Sequence, residues 1–237
     1  MRTRHCAVAG VVLAVLSVSA CSADPQARPG AAAASSRAPL ERLRNGLLTS
    51  DQLPLGFRLL TEEVNSTTTG APHTPSAVPI ASMPCSELGV ESFMTTHAQP
   101  AEDVAVGVEW TPVADDDLDW FGQESLDRYA PGQAAAVMAA IRGVAQGCAS
   151  YTNTLADGTR LQETASVTAA EVSADDSLLL HTTSTFPGDP APFVGETAFV
   201  RMGDVILMVQ QVSDQKPSPS SEKVLASAVK AYRSAGG

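Results

Sequence analysis

Cationic side chains are scarce in this sequence: three lysines and twelve arginines stand against 26 acidic residues in a chain of 237. Aromatic residues make up only 5%, and histidine occurs four times. The shortage of positive charge, with an isoelectric point near 4.7, excludes a protein that grips a phosphate backbone through a basic face. Nucleic acid is therefore not an expected partner. No Gly-x-Ser-x-Gly elbow, His-Glu-x-x-His helix, Walker A loop or Gly-x-Gly-x-x-Gly turn opens any plausible element, so no enzyme class is indicated and no catalytic residue is assigned. No metal or cofactor is expected either. What is abundant is alanine and other small apolar residues, and 44% hydrophobic content suits one globular domain.

The N-terminus carries an address. Arg2 and Arg4 precede an uncharged apolar run from Cys6 to Ala20. Its 15 residues fall short of the roughly 20 needed to span a bilayer, but suit the apolar region of a secretory signal. The run ends in Val18-Ser19-Ala20-Cys21, which resembles the lipobox of bacterial lipoproteins. In that class the cysteine becomes the first mature residue and carries the lipid. Val18 and Ala20 also satisfy an ordinary small-x-small cleavage rule, which would leave Cys21 an incidental thiol. Residues 1–20 thus read as a signal peptide and residues 21–37 as a lipidated cysteine with its tether. Ser22 to Arg37 consists mainly of Ala, Pro, Gly, Ser and Gln, a flexible composition that would reach on the order of 20 Å. Removal of residues 1–20 takes two arginines and no acid, leaving 13 basic and 26 acidic residues and a net charge of −13 on 217. Such a surface avoids anionic head groups, so acyl chains and not a basic patch would hold the domain to the extracytoplasmic face of the cell membrane.

Residues 38–237 read as one extracytoplasmic domain. Leu40, Leu43, Leu47 and Leu48 recur at helical spacing before Leu53-Pro54-Leu55-Gly56-Phe57. Glu62 to Ile80 is rich in Thr and Pro and reads as a loop; it contains a glycosylation-like Asn65-Ser66-Thr67, expected to be accidental. Val104, Val106, Val108 and Trp110 alternate as a strand. Asp119–Tyr129 and Gln133–Tyr151 are expected as helices, the second with Val137, Ile141, Val144 and Cys148 on one stripe. Strands are expected at Thr164–Val172, Ser177–Phe186, Phe193–Met202 and Val205–Val212, the last two joined by the hairpin turn Gly203-Asp204. Val205 to Val209 is apolar on both faces and belongs at the centre of a sheet. A final helix begins at Ser221-Glu222 and turns Val224, Leu225, Ala228, Val229 and Tyr232 inward. The fold class that follows is α+β, a single domain with an antiparallel sheet packed by a few helices.

Of four cysteines, Cys6 leaves with the signal and Cys21 would take the lipid, so Cys85 and Cys148 remain. In an oxidising compartment such a pair reads as a disulfide, with two buried thiols as the alternative. Asp115-Asp116-Asp117-Leu118-Asp119 reads as a helix start in preference to a calcium loop, because it lacks the alternating ligand layout. His181 falls mid-strand as a polar or core position. Trp110, Trp120 and Tyr129 lie within twenty residues; they read either as core or as the lining of a groove for an apolar or amphipathic small molecule.

The order of these pieces resembles a family. Leu53-Pro54-Leu55-Gly56-Phe57, Cys85, Gln146-Gly147-Cys148, Pro187-Gly188-Asp189 and Arg201-Met202-Gly203-Asp204 resemble the PknH-type extracellular sensor-like domains of actinobacteria and related stand-alone lipoproteins. The arginine-over-lysine bias resembles the same source. The resemblance implies an α+β domain with a cleft and a non-catalytic ligand-binding or sensor-like role, and it brings no catalytic residues. The kinase type carries two disulfides, whereas this mature chain has cysteines for one. An envelope interaction or structural lipoprotein without a small-molecule pocket is the rival expectation. If Cys21 is acylated, intact mass spectrometry of protein from its native membrane finds a diacylglyceryl increment, and Cys21→Ala releases the domain; an unmodified Cys21 refutes the address.

Overall fold

The computed structural model describes residues 39–60, 75–90, 93–110, 120–213 and 220–236. Cys21, the tether, Asn65, His73 and the Asp115–Asp119 cluster lie outside the described residues. Residues 39–46 are helical (α1) and lead through Leu53-Pro54-Leu55-Gly56 into strand β1, Phe57–Leu59. Gly56 takes φ +89°, and a Cβ there would stand 2.8 Å from Trp110 Nε1, so only glycine fits this turn. Two 3-10 turns, Ile80–Ser82 and Cys85–Glu87, and a short helix α2, Phe93–His97, precede strands β2, Glu102–Trp110, and β3, Trp120–Arg128. Helix α3, Gln133–Gly147, then carries the chain to a meander of β4, Tyr151–Thr154, β5, Arg160–Thr168, β6, Asp176–Thr185, β7, Phe193–Met202, and β8, Val205–Ser213. Helix α4, Glu222–Ser234, ends the fold.

All eight described strands form one antiparallel sheet in the order β1-β2-β3-β8-β7-β6-β5-β4. The expected α+β class and consecutive pairing hold, and β8 is central. Val205, Leu207 and Val209 join one buried cluster with Leu43 of α1, Leu47 just past its end, and Val224, Leu225 and Ala228 of α4. Ile206 and Met208 point the other way, into a cluster with α2, the 3-10 turns, α3, Leu178, Leu180 and Phe199. Because helices cover both faces, a strand apolar at every position loses no side chain to water.

The expected helix over Asp119–Tyr129 is corrected. Residues 120–128 are the β3 strand, paired to β2 on one side and β8 on the other. Glu124, Ser125 and Asp127 occupy buried positions there, which erases the apolar alternation that marks a strand in sequence; tertiary pairing overrides local propensity. The helix expected to reach Tyr151 stops at Gly147, and Tyr151 opens β4. Strand β5 starts at Arg160, earlier than expected, because the Asp157-Gly158 turn closes directly on it with Leu155 N–H bonded to Thr159 O at 2.8 Å.

Cys85 and Cys148 form a disulfide, with Cα atoms 5.5 Å apart. It ties the second 3-10 turn to the C-terminal end of α3. His97 of α2 adds a second tie, its ring nitrogens 2.7 Å from Val78 O and 2.6 Å from Glu87 Oε2. With the bonded positions 63 residues apart in sequence, the chain-entropy model gives the cross-link about 4 kcal/mol. Replacing both cysteines with alanine is expected to lower unfolding free energy by about that amount in urea titrations. An unchanged midpoint would mean that the remaining contacts hold the turn unaided.

Candidate functional site

On the disulfide-side face the sheet changes character along its length. In β6 the inward positions run Leu178, Leu180, Thr182, Ser184; in β7 the matching positions run Phe199, Thr197, Gly195, Phe193, with Leu180 opposite Thr197, Thr182 opposite Gly195 and Ser184 opposite Phe193. The apolar half receives α3. The hydroxyl-bearing half borders a cavity of about 130 Å³, lined by these residues from Thr182 and Thr197 outward together with Val194, Gln211 and Gly89.

Gly89, beyond the Cys85–Glu87 turn, closes the cavity from above, its carbonyl accepting from Gln210 Nε2 at 2.5 Å. Thr182 fits only because glycines flank it. A Cβ at Gly195 would come 2.5 Å from Thr182 Oγ1, and one at Gly89 would come 3.3 Å from Thr182 Cγ2. A strand-interior glycine marks this sort of close approach. Ser184 donates its hydroxyl proton to Glu163 Oε1 at 2.8 Å. Tyr151, opposite Glu163 in the β4–β5 ladder, has its phenol pushed up by burial and by that carboxylate.

The residues expected to share a groove are not gathered. Trp110 and Trp120 are cross-strand partners in β2 and β3, and Trp110 packs against Phe57 with ring centres 6.5 Å apart. Tyr129 lies just past the opposite end of β3, on the order of 30 Å away at about 3.3 Å per residue, fully buried among the α3 residues. No one groove includes all three. His181 Nδ1 stands 3.5 Å from Glu196 Oε2, while Glu196 Oε1 accepts from Ser220 Oγ and from the N–H and Oγ of Ser221 at 2.6–2.8 Å. The carboxylate stands between hydroxyl and imidazole, so His181 does not activate either serine. Among the described residues no three His, Cys, Asp or Glu side chains converge to hold a metal ion. The cavity itself was missed in sequence. Its available signals were the hydroxyl-rich run Thr182-Thr183-Ser184-Thr185 and the glycine inside β7.

Two acids of β3 are buried on opposite faces of the sheet. Glu124 accepts from Leu48 N–H at 2.8 Å; burial pushes its carboxyl from an ordinary 4.5 up to about 8, against the lowering effect of that bond. Asp127, beside Asp103 in the β2–β3 ladder, is raised from 3.8 to about 8 by burial and then by the Asp103 charge, with the Ser125 hydroxyl opposing. Both are protonated in the folded protein at neutral pH. The same burial raises Tyr129.

No protein-family model matches this sequence, and no curated protein matches it. Among solved structures, the extracellular domain of PknH from Mycobacterium tuberculosis aligns over 83% of this chain and 96% of its own, with 11% identity and a TM-score of 0.53. The Rv0999 ortholog from Mycobacterium smegmatis aligns over 77% and 92% at 10% identity, with a TM-score of 0.39. The chain thus resembles the PknH extracellular domain in fold. Among the described residues no helix is long and apolar enough to cross a membrane.

The buried acids set a direction for pH dependence. Their folded values near 8 exceed the unfolded ones near 4, so the native state holds protons that the unfolded chain releases between those values. Stability then falls as pH rises from about 4 to about 8, by at most about 1.4 kcal/mol per pH unit for each group. Asp176 acts oppositely, since hydrogen bonding to Arg142 holds its carboxyl below the usual range and its contribution is lost only as pH falls further. Urea midpoints are expected to be higher at pH 5 than at pH 8, and Glu124→Gln with Asp127→Asn should flatten the difference. A midpoint that climbs across that window contradicts the assignment.

Proposed function

We propose that this chain is a membrane-anchored extracytoplasmic lipoprotein acting as a non-catalytic, sensor-like binding module. In this reading residues 1–20 are the signal peptide, Cys21 carries the lipid, residues 22–37 are the tether, and residues 38–237 form the exported domain. The disulfide between Cys85 and Cys148 supports an oxidising compartment. So does the fold shared with a domain described as extracellular. The observation that carries the binding role is the cavity under Gly89, whose walls are hydroxyls admitted by two glycines. Sheet interiors are ordinarily packed without voids, and this recess sets a few hydroxyls beside the Phe193 ring, a combination of polar and aromatic groups of the kind that orients a bound ligand.

A second reading, an envelope interaction protein, draws on Leu60 and Phe121, which are 44% and 46% exposed. Leu60 overlies Gly107, and Gly107 and Phe121 share a sheet face through the Gly107–Gln123 and Glu109–Phe121 pairs. The two readings separate by where a ligand acts. Titrating the full chain in detergent with a mixture of small polar fragments is expected to shift the amide resonances of Thr182, Gly195 and Thr197 saturably. Unmoved resonances there would put the interaction reading first.

A further inference from the structure

We infer that the cavity under Gly89 takes a small organic cation, a primary ammonium group on a short carbon skeleton. This rests on the cavity being a binding site and names what it binds.

The argument begins with protons. Ser184 gives its hydroxyl proton to Glu163 at 2.8 Å, so its oxygen presents lone pairs to the cavity. Thr182 directs its proton at Gly195 O, 3.5 Å away. The Gln210 amide donates to the Gly89 carbonyl. The protons of both lining hydroxyls, Ser184 and Thr182, are thus committed to protein oxygens, which leaves their lone pairs to face the space. An ammonium group, with three donors and no acceptor, is the complement of such a wall. A carboxylate or phosphate would face lone pairs.

Charge points the same way. Among the described residues no Lys, Arg or His lines the cavity, and Glu163, only 8% exposed, lies one hydroxyl behind it. The Phe193 ring, packed edge-to-face on Phe186 with centres 5.5 Å apart, adds an aromatic wall, which favours a cation over an anion. The formal charge of −11 raises the local concentration of cations further.

Size limits the skeleton. A cavity of about 130 Å³ is slightly smaller than the ~150 Å³ engineered cavity that accepts benzene, so the ligand has about six heavy atoms. Drug-sized ligands, which need roughly 300 Å³ or more, do not fit.

The test uses three probes of matched size, n-pentylamine, 1-pentanol and butanoate, titrated into the full chain in detergent at low and high salt and followed by amide resonances. The amine is expected to shift Thr182, Gly195 and Thr197 saturably at both salt levels, about tenfold more tightly than the alcohol, with no saturable shift from butanoate. Glu163→Gln, an isosteric change, should cancel the preference for amine while leaving alcohol binding in place, and Phe193→Leu should weaken the amine more than the alcohol. Equal or tighter binding of the alcohol, or an undiminished preference in Glu163→Gln, overturns the cation assignment and leaves the cavity as a binding site. Amine shifts that are scattered and vanish in high salt reduce it to surface charge screening and overturn it too. Failure of all three probes to bind overturns the cavity reading as well.

Discussion

The antiparallel ladder between β3 and β8 is the joint on which the fold depends. Nine residue pairs, from Trp120–Ser213 to Arg128–Val205, connect the β1-β2-β3 meander to the β4-to-β8 meander. Without them the chain has two smaller sheets, each with an open edge. On one face Leu126 of β3 and Leu207 of β8 share a buried cluster with α1 and α4; on the other, Ile206 and Met208 of β8 join the cluster of α2 and α3. β8 contributes apolar side chains to both sides. β3 contributes Leu126 to one side but also Glu124 and Asp127, acids that are buried at 0% and 1% exposure. A buried carboxyl is costly when charged and far less so when neutral, which is why both hold protons at neutral pH.

That division between the two partner strands explains which parts of the fold were legible in the sequence. β8 was legible because five successive apolar residues are hard to accommodate anywhere but the middle of a covered sheet. The β7–β8 hairpin was legible through Gly203-Asp204, and α4 through its apolar stripe. β3 was not, because its buried positions carry Glu, Ser and Asp, and a polar residue in a core gives no periodic signal. The edge strands β1 and β4, three and four residues long, are too short to show alternation. The cystine could be read by elimination, since localisation left two thiols.

The candidate site was less legible for a related reason. Aromatic residues attract attention in a chain that has few, yet Tyr129 serves the core beneath α3. The cavity is built from Thr, Ser and Gly, residues that are common in loops and carry little information singly. Their meaning arises from register: only when β6 is set against β7 does Thr182 meet Gly195 and Ser184 meet Phe193. A slip of one residue would send the hydroxyls to the opposite face of the sheet. The specificity of the recess is thus inherited from the apolar pairs further along the same strands, which hold the register because one residue of slip would expose Leu178, Leu180 and Phe199.

The roof of the recess follows a different logic from its floor. The floor is strand, held by ladders on both sides. Gly89 belongs to the segment 75–90, which has no strand pairing and is held by the burial of Ile80, Met83 and Leu88 in the α3-side cluster and by separate bonds: the cystine at Cys85, the His97 contacts to Val78 and Glu87, the Ser76 N–H to Thr96 O bond at 2.9 Å, and the Gln210 bond to Gly89 O at 2.5 Å. Opening the whole segment would expose those three side chains, so a low-cost local opening is confined to the tip beyond Leu88. The covalent anchor keeps such an opening short in range, because Gly89 lies four residues from Cys85. Only the Gln210–Gly89 bond links the roof tip to the sheet among these contacts. That bond is separate from the nine pairs of the β3–β8 joint, whereas Leu88, beside Gly89 and 4% exposed, ties the rest of the roof to the same buried cluster as Met208 of β8.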